Sequence, residues 1–495
     1  MSPRPQLDPS SATPLYKQLH AQLKDWIGDG RLAQGDRLPS TRELAEELGL
    51  NRTTVTAAYS LLESEGLIRG HVGRGSFVST EAKLEPPGLD WDGLLDGPDR
   101  LSMGPLQHQP ASGDVISFST ARPAEHLFPL EDVRATCREV LGSAQAATIL
   151  QLGSPGGYAP LREYLLAEAR RSGVAGSQDD ILITNGCQQG LDLVQRVLVR
   201  PGDTVLVEDP VYPGVRNLLA RAGARVAGVP VGLQGLDLEH LERALAREKP
   251  RLLVVTPSFQ NPTGTTIPLA ARPLILARCR DAGVVVVEND MYSELRYEGE
   301  PLPSLKQLDE SGDTVLLRSF SKVAFPGLRV GWVTGPRALL ARLADAKQLT
   351  DLHTDQLSQA LLLRFAESGR LAAHRSRILA AGSDCLAAVV AACERWLPAG
   401  TRFTRPQGGM NLWVRLPEPL DATELLPRAE RANVTYVPGR YFEVTRHEPG
   451  SLRLSFAGLA PDRIRAGLAI LGELFSSELE RVRAARRYDP APAMV

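Results

Sequence analysis

Lys322 stands in the tetrad Ser319-Phe320-Ser321-Lys322, directly after the apolar run Val315-Leu316-Leu317. Arg329 follows seven residues later, inside Gly-Leu-Arg-Val-Gly. A lysine supplies the amine for a Schiff base, while serine hydroxyls and a guanidinium hold a phosphate dianion. A ligand that is both an aldehyde and a phosphate ester makes both demands, and pyridoxal 5′-phosphate is the cofactor of that kind. The tetrad alone fits an ordinary surface lysine after a strand equally well. Other residues supply the rest of the chemistry. Asp290 and Tyr292 follow the run VVVVEN, Asn261 lies in the turn PSFQNPTG, and Tyr212 follows TVLVED. A carboxylate such as that of Asp290 against the pyridine nitrogen keeps it protonated and makes the ring an electron sink. The amide of Asn261 and the phenol of Tyr292 suit the ring's 3′ oxygen, and the Tyr212 ring suits stacking. Lys322 would form the internal aldimine and later shuttle a proton.

These residues need a scaffold that delivers them to one place. From Val115 the chain alternates strand-like and helix-like segments for about 250 residues, which predicts an α/β domain with a mostly parallel sheet. Ligands of such sheets bind outside the carboxyl ends of the strands. Four strand ends there deliver Tyr212, Asn261, Asp290 with Tyr292, and Lys322. A fifth, DDILIT, runs into the turn Asn185-Gly186-Cys187 and a helix start. Its amides make Gly186, Cys187 and Gln188 candidates for a phosphate cradle, although an ordinary βα turn reads the same way in isolation. Around residues 375–475 a smaller α/β piece follows. It has strand-like MNLWVRLP and VTYVPG and a closing helix from Asp462 to Leu474, and residues 481–495 read as a tail.

The chain has 495 residues and a net charge of −2, so bulk charge suggests neither nucleic acid nor a membrane surface as a partner. Five cysteines without a CxxC spacing indicate neither a disulfide frame nor a zinc site, and no metal is expected. The opening MSPRPQLDPSSATP lacks an apolar signal core, and no apolar run reaches the length of a membrane span. The cytoplasm is the expected location.

The first 80 residues change the meaning of the charge balance. Leu15, Leu19, Leu23 and Trp26 with Ile27 recur at helical spacing until Gly28 and Gly30. Ser40 or Thr41 caps a second helix that ends at Gly49, and Asn51 starts a third. Val55, Ala58, Tyr59 and Leu62 form the buried side of that third helix. The segment IRGHVGRGSFVS then reads as a two-stranded wing around Gly-Arg-Gly. This is the winged helix-turn-helix plan, mainly α with a β wing, although a small helical interaction module shows the same pattern. Arginines occupy the turns, the helix starts and the wing, and acids occupy the scaffold.

The run RLPSTRELAEELGLNRTTVTAAYSLLESEGLI with the GRGSFV wing resembles the DNA-binding domain of GntR-type bacterial regulators. That resemblance implies DNA contacts from Arg42, Arg52, Thr53, Thr54 and the wing's Arg74. PSFQNPTG, SFSK, PGLRVG, DLHT, RPQGGMNLWVRLP and LRLSF resemble fold-type I, pyridoxal-phosphate-dependent aminotransferases, in the style of 2-aminoadipate-type enzymes. The likeness implies large and small subdomains, with Asp290 at the pyridine nitrogen and Asn261 and Tyr292 at the 3′ oxygen. It also implies a Schiff base at Lys322, phosphate ligands at Ser319 and Arg329, and Arg453 on a substrate carboxylate. Two positions depart from that pattern: Leu152 where a tyrosine reaches a neighbouring subunit, and Thr120-Ala121 where a Gly-Gly pair is usual. Together the two halves resemble the MocR subfamily of GntR-type regulators. The expected organisation is a winged helix over residues 11–80, a linker over 81–113 and the aminotransferase-like domain over 114–480. The expected function is a homodimeric transcription regulator that binds operator DNA. It senses pyridoxal phosphate or an amino compound by aldimine exchange at Lys322. The alternatives are a working aminotransferase with an autoregulatory DNA-binding domain, or a domain that has lost the cofactor and only dimerises.

Overall fold

A computed structural model describes residues 5–9, 11, 13–71, 75–79, 89, 91 and 115–488. The chain forms two compact units that divide between residues 98 and 99. Arg74, the tail from 489 and the linker other than Leu89 and Trp91 lie outside the described residues.

The first unit packs α1 (Leu15–Gly28), α2 (Thr41–Leu48) and α3 (Arg52–Ser64) against a wing of β1 (Ile68–His71) and β2 (Gly75–Val78). Leu19, Val55, Ala58 and Leu62 are fully buried at its centre. Burying each Leu or Val contributes about 1.5–3 kcal/mol to this core. The α2 start is fixed by a reciprocal cap: Ser40 Oγ accepts from Glu43 N, and Glu43 Oε2 accepts from Ser40 N. Gly49 ends it at φ 66°, a backbone angle that favours glycine. Asn51 Oδ1 accepts from Thr53 N and starts α3.

The second unit is built on β3 (Ile116–Ser117), β4 (Asp179–Thr184), β5 (Thr204–Asp209), β6 (Arg225–Gly232), β7 (Gly235–Leu236), β8 (Leu252–Val255), β9 (Val285–Asn289), β10 (Thr314–Ser319), β11 (Gly331–Pro336), β12 (Arg402–Phe403), β13 (Asn411–Arg415), β14 (Val434–Thr435), β15 (Val437–Pro438) and β16 (Ser451–Ser455). An eight-stranded sheet has the order β4-β11-β10-β9-β8-β5-β6-β7. Strands β10, β9, β8, β5 and β6 run parallel, whereas β11 is antiparallel to both neighbours. The sheet is therefore mixed. Its central strands are apolar on both faces because helices cover both sides, as parallel crossovers require.

A second sheet, β12-β13-β16-β15, forms the small subdomain with helices Arg370–Trp396, Ala422–Arg431 and Pro461–Tyr488. The last helix continues well past the expected stop at Leu474. Ile116 and Phe118 pack into this same core through the pairing of β3 with β14. The small subdomain thus also takes in the strand at the head of the unit. Helix Arg370–Trp396 is long and apolar enough to cross a membrane by length and composition. Its Cys385, Leu386, Val389 and Cys393 are core residues of the small subdomain.

Candidate functional site

The carboxyl ends of β10, β9, β8 and β5 are lateral neighbours, so Lys322, Tyr292, Asn261 and Tyr212 converge on one cavity of about 300 Å³. Strand β11 runs the other way, so its start brings Arg329 back to the same edge. Cys187, Gln188, Ser321 and Arg453 also line the cavity, as do Thr120 and Ala121.

Local packing explains why each side chain stays there. Arg272, 1% exposed, donates to the carbonyls of Pro257, Ile267 and Pro303, which pins the loop that displays Asn261. Gln260 Oε1 accepts from Thr263 N and Thr263 Oγ1, closing the turn around the cis Asn261-Pro262 bond. Asn261 Nδ2 donates to the Tyr292 hydroxyl at 3.3 Å, and its Oδ1 accepts from Arg453 Nη1 at 3.1 Å. Burial pushes the Tyr292 phenol up to about 12.

The proposed phosphate end is a helix start. Gly186, at φ 78°, precedes helix Cys187–Leu198, and a Cβ there would come 2.7 Å from Arg329 Nη2. Arg329 Nη2 donates to Asn185 O at 3.2 Å, so guanidinium and helix N-terminus converge on one anion-binding corner. Asp351, in the run Asp-Leu-His-Thr, steadies this corner by accepting from Asn185 Nδ2 and Gln189 Nε2.

Lys322 Nζ donates to Ala121 O at 2.6 Å. Burial, reinforced by the charges of Arg453 and Arg329, lowers its pKa from 10.5 to about 8. The neutral amine is the nucleophile, and the fraction that is neutral rises as pH climbs through this pKa. The rate at which cofactor-free protein captures pyridoxal phosphate should therefore rise with a midpoint near pH 8 and level off above about pH 9. Stopped-flow absorbance should show no such plateau below pH 10 if the lysine were an ordinary exposed one.

Arg453, on β16 and 1% exposed, has no carboxylate partner among the described residues. Its other bond goes to Ser119 O, while Nε has none. Burial lowers its pKa to about 10.

Two expected ligands sit elsewhere. Ser319 does not line the cavity; its hydroxyl accepts from Ser321 N and donates to Ser321 Oγ, which shapes the turn. Asp290 does not line it either. Its carboxylate accepts from Arg318 Nη2 at 2.7 Å and Ser293 Oγ at 2.7 Å. Side chains alternate along a strand, so Asp290 shares its side with Glu288 and the opposite side falls to Asn289. Asn289 and Met291, on either side of Asp290, line the cavity together with Tyr292. That parity is legible in the run Val-Val-Val-Val-Glu-Asn-Asp, where Asn289 falls on the side opposite to both acids.

In the first unit Arg42, Arg52 and Thr53 are exposed and Thr54 is half-buried. Arg42 is the second residue of α2 and Arg52 the first of α3, and neither makes an ion pair among the described residues.

Residues 114–471 match the family described as aminotransferase class I and II, and residues 15–78 match the bacterial regulatory proteins of the gntR family. The probable rhizopine catabolism regulatory protein MocR of Rhizobium meliloti is 30% identical over 482 residues, 95% of each chain. The chain belongs to the MocR-type GntR regulators. It joins a GntR DNA-binding domain to an aminotransferase class I and II domain, whose cofactor is pyridoxal phosphate. A 2-aminoadipate transaminase of Thermus thermophilus is 39% identical over 371 residues, 74% of this chain and 92% of that enzyme. The crystal structure of LysN, the α-aminoadipate aminotransferase of Thermus thermophilus complexed with N-(5′-phosphopyridoxyl)-L-leucine, superposes with a TM-score of 0.70. That match has 38% identity and covers 74% of this chain and 94% of the enzyme. The cavity fits this cofactor: it holds one lysine, an anion corner and buried polar atoms without partners on Asn289 and Arg453.

Proposed function

We propose that this MocR-type regulator uses its aminotransferase-like unit to sense pyridoxal phosphate or an amino compound and its winged helix to act on an operator. One observation carries the reading. A single cavity holds a lysine amine with its pKa lowered to about 8 and a buried arginine without a carboxylate partner among the described residues. An amino acid offers a carboxylate for that arginine and an amine that competes with the lysine for the cofactor's carbonyl carbon. When bound, the cofactor supplies an electrophilic carbonyl carbon at which one amine replaces another. Lys322 is the resident amine, and Gly186, Cys187 and Gln188 with Ser321 and Arg329 hold the phosphate. Tyr212 stacks on the ring, Asn261 and Tyr292 hold the 3′ oxygen, and Arg453 takes the ligand's carboxylate as a bidentate fork.

The protein works as a homodimer in the cytoplasm. Leu150, Leu152, Leu349 and Leu352 are each more than half exposed in the single chain. Gln356 Nε2 donates to Gln151 O, which ties the first pair's loop to the helix that follows the second. Leucines so displayed suit a partner subunit. Exchange of amines at Lys322 shifts the closure of the small subdomain, and that changes the spacing of the two winged helices on DNA.

The similarity to a 2-aminoadipate transaminase favours a second reading, a working aminotransferase whose DNA-binding domain regulates its own gene. Titrating the pyridoxal-phosphate-loaded protein with a panel of amino acids, with and without promoter DNA, distinguishes the two. A regulator should show a saturable absorbance change and a change in operator affinity of about 5–150-fold. Sustained turnover of 2-aminoadipate or glutamate with a 2-oxo acid, without any effect on DNA affinity, would overturn it.

A further inference from the structure

We propose that Asn289, a neutral amide, faces the pyridine nitrogen of the cofactor and leaves the ring unprotonated. This rests on the cofactor reading above and explains why such a site would sense and not turn over. At the end of β9 the cavity is lined by Asn289, Met291 and Tyr292, with Asp290 left out of the lining. Asn289 Oδ1 is buried and accepts no hydrogen bond. Among the described residues, no aspartate or glutamate lines the cavity.

The nearby acids are committed elsewhere. Asp290 is held by Arg318 and Ser293, and Glu288 accepts from Leu305 N and Lys306 N. Glu208 accepts from Thr256 N. Asp209 accepts from the amides of Val444, Thr445 and Arg446. The charges that do line the cavity are Lys322, Arg329 and Arg453. Cations disfavour a further positive charge on the ring, and no carboxylate of the lining offsets them.

An asparagine amide can turn either its oxygen or its N–H groups toward a ligand, and its N–H matches an unprotonated nitrogen acceptor. A carboxylate partner would instead hold the proton that makes the ring an electron sink. Amine exchange at the carbonyl carbon needs little of that sink. Removal of the ligand's Cα proton needs most of it. With asparagine at this position the chemistry proceeds through binding and stalls before proton removal.

The test is nitrogen NMR of the full chain loaded with pyridoxal phosphate labelled at the ring nitrogen. The wild-type resonance should stay at the unprotonated, pyridine-type shift across neutral pH. In Asn289→Asp it should move to the protonated, pyridinium-type shift. In the same variant, exchange of an amino acid's Cα hydrogen with solvent deuterium should quicken by about tenfold or more. A pyridinium-type shift in the wild type, or an unmoved resonance in folded Asn289→Asp, would overturn the assignment. If the variant does not fold, the wild-type spectrum decides alone. A protein that takes up no cofactor overturns the sensing proposal as well, whereas a loaded protein with a protonated ring overturns only this one.

Discussion

Lys322→Ala protein should hold no covalently bound pyridoxal phosphate and should lose the visible absorbance of the lysine-bound cofactor. Among the cavity-lining residues Lys322 is the one lysine, in a chain with seven. Lys306 and Lys347, which are buried elsewhere, are already paired with Asp179 and Asp351 at 3.0 and 2.7 Å. Neither can substitute without breaking a buried ion pair. The phosphate corner and the stacking ring remain in Lys322→Ala, so residual binding should persist with affinity reduced about a hundredfold or more, or roughly 3 kcal/mol. Equilibrium dialysis and absorbance measure both quantities. Lys322→Arg provides the control, because it keeps a cation in the cavity but offers no amine of suitable pKa. A visible band surviving in Lys322→Ala would remove Lys322 from the cofactor's covalent chemistry. The DNA-binding unit should be unaffected, since its core is Leu19, Val55, Leu62 and their neighbours.

Arg52→Ala should lower operator affinity toward the non-specific level while leaving the cofactor's absorbance unchanged. Arg52 is exposed at the first turn of α3, and Asn51 fixes that start by capping Thr53 N. An arginine there reaches a base edge or a phosphate from the end of the helix that a winged helix inserts in the major groove. Its loss should cost about 1–3 kcal/mol, or roughly 5–150-fold. Fluorescence anisotropy against salt concentration separates the two roles. A phosphate contact lowers the slope of log affinity against log salt by about 1, whereas a guanine contact mainly relaxes sequence preference. Unchanged affinity would take Arg52 out of the interface. The acidic and basic residues of this domain nearly cancel, so a mutational loss of this size would reflect position and not bulk charge.

Much of this organisation is written locally. The caps at Ser40 and Asn51, the stop at Gly49 and the apolar spacing of Val55, Ala58, Tyr59 and Leu62 are each set within a few residues. They are legible because capping and helical periodicity are short-range effects. The same holds for the apolar strands β8, β9 and β10 and for the placement of Asn261, Tyr292 and Lys322 just beyond their ends. The alternation of strands and helices implies a shared edge for those ends, because parallel strands joined by crossovers all point the same way.

Other features depend on contacts between distant residues. Arg453 meets Asn261 across 192 positions, and β3 pairs with β14 across more than 300, so neither bond has a local signature. The antiparallel course of β11, which returns Arg329 to the active edge, is likewise a property of the whole sheet. The sharpest case is Asn289 beside Asp290. By residue type Asp290 is the better partner for a pyridine nitrogen. What decides between the two is which side of β9 faces the cavity, and that depends on Arg318 of β10 standing ready to take the Asp290 carboxylate. That a polar pair closes this strand is already written in Asn289 and Asp290. Only the packing of the neighbouring strand decided that the charged member is neutralised by an arginine and the uncharged one reaches the cavity.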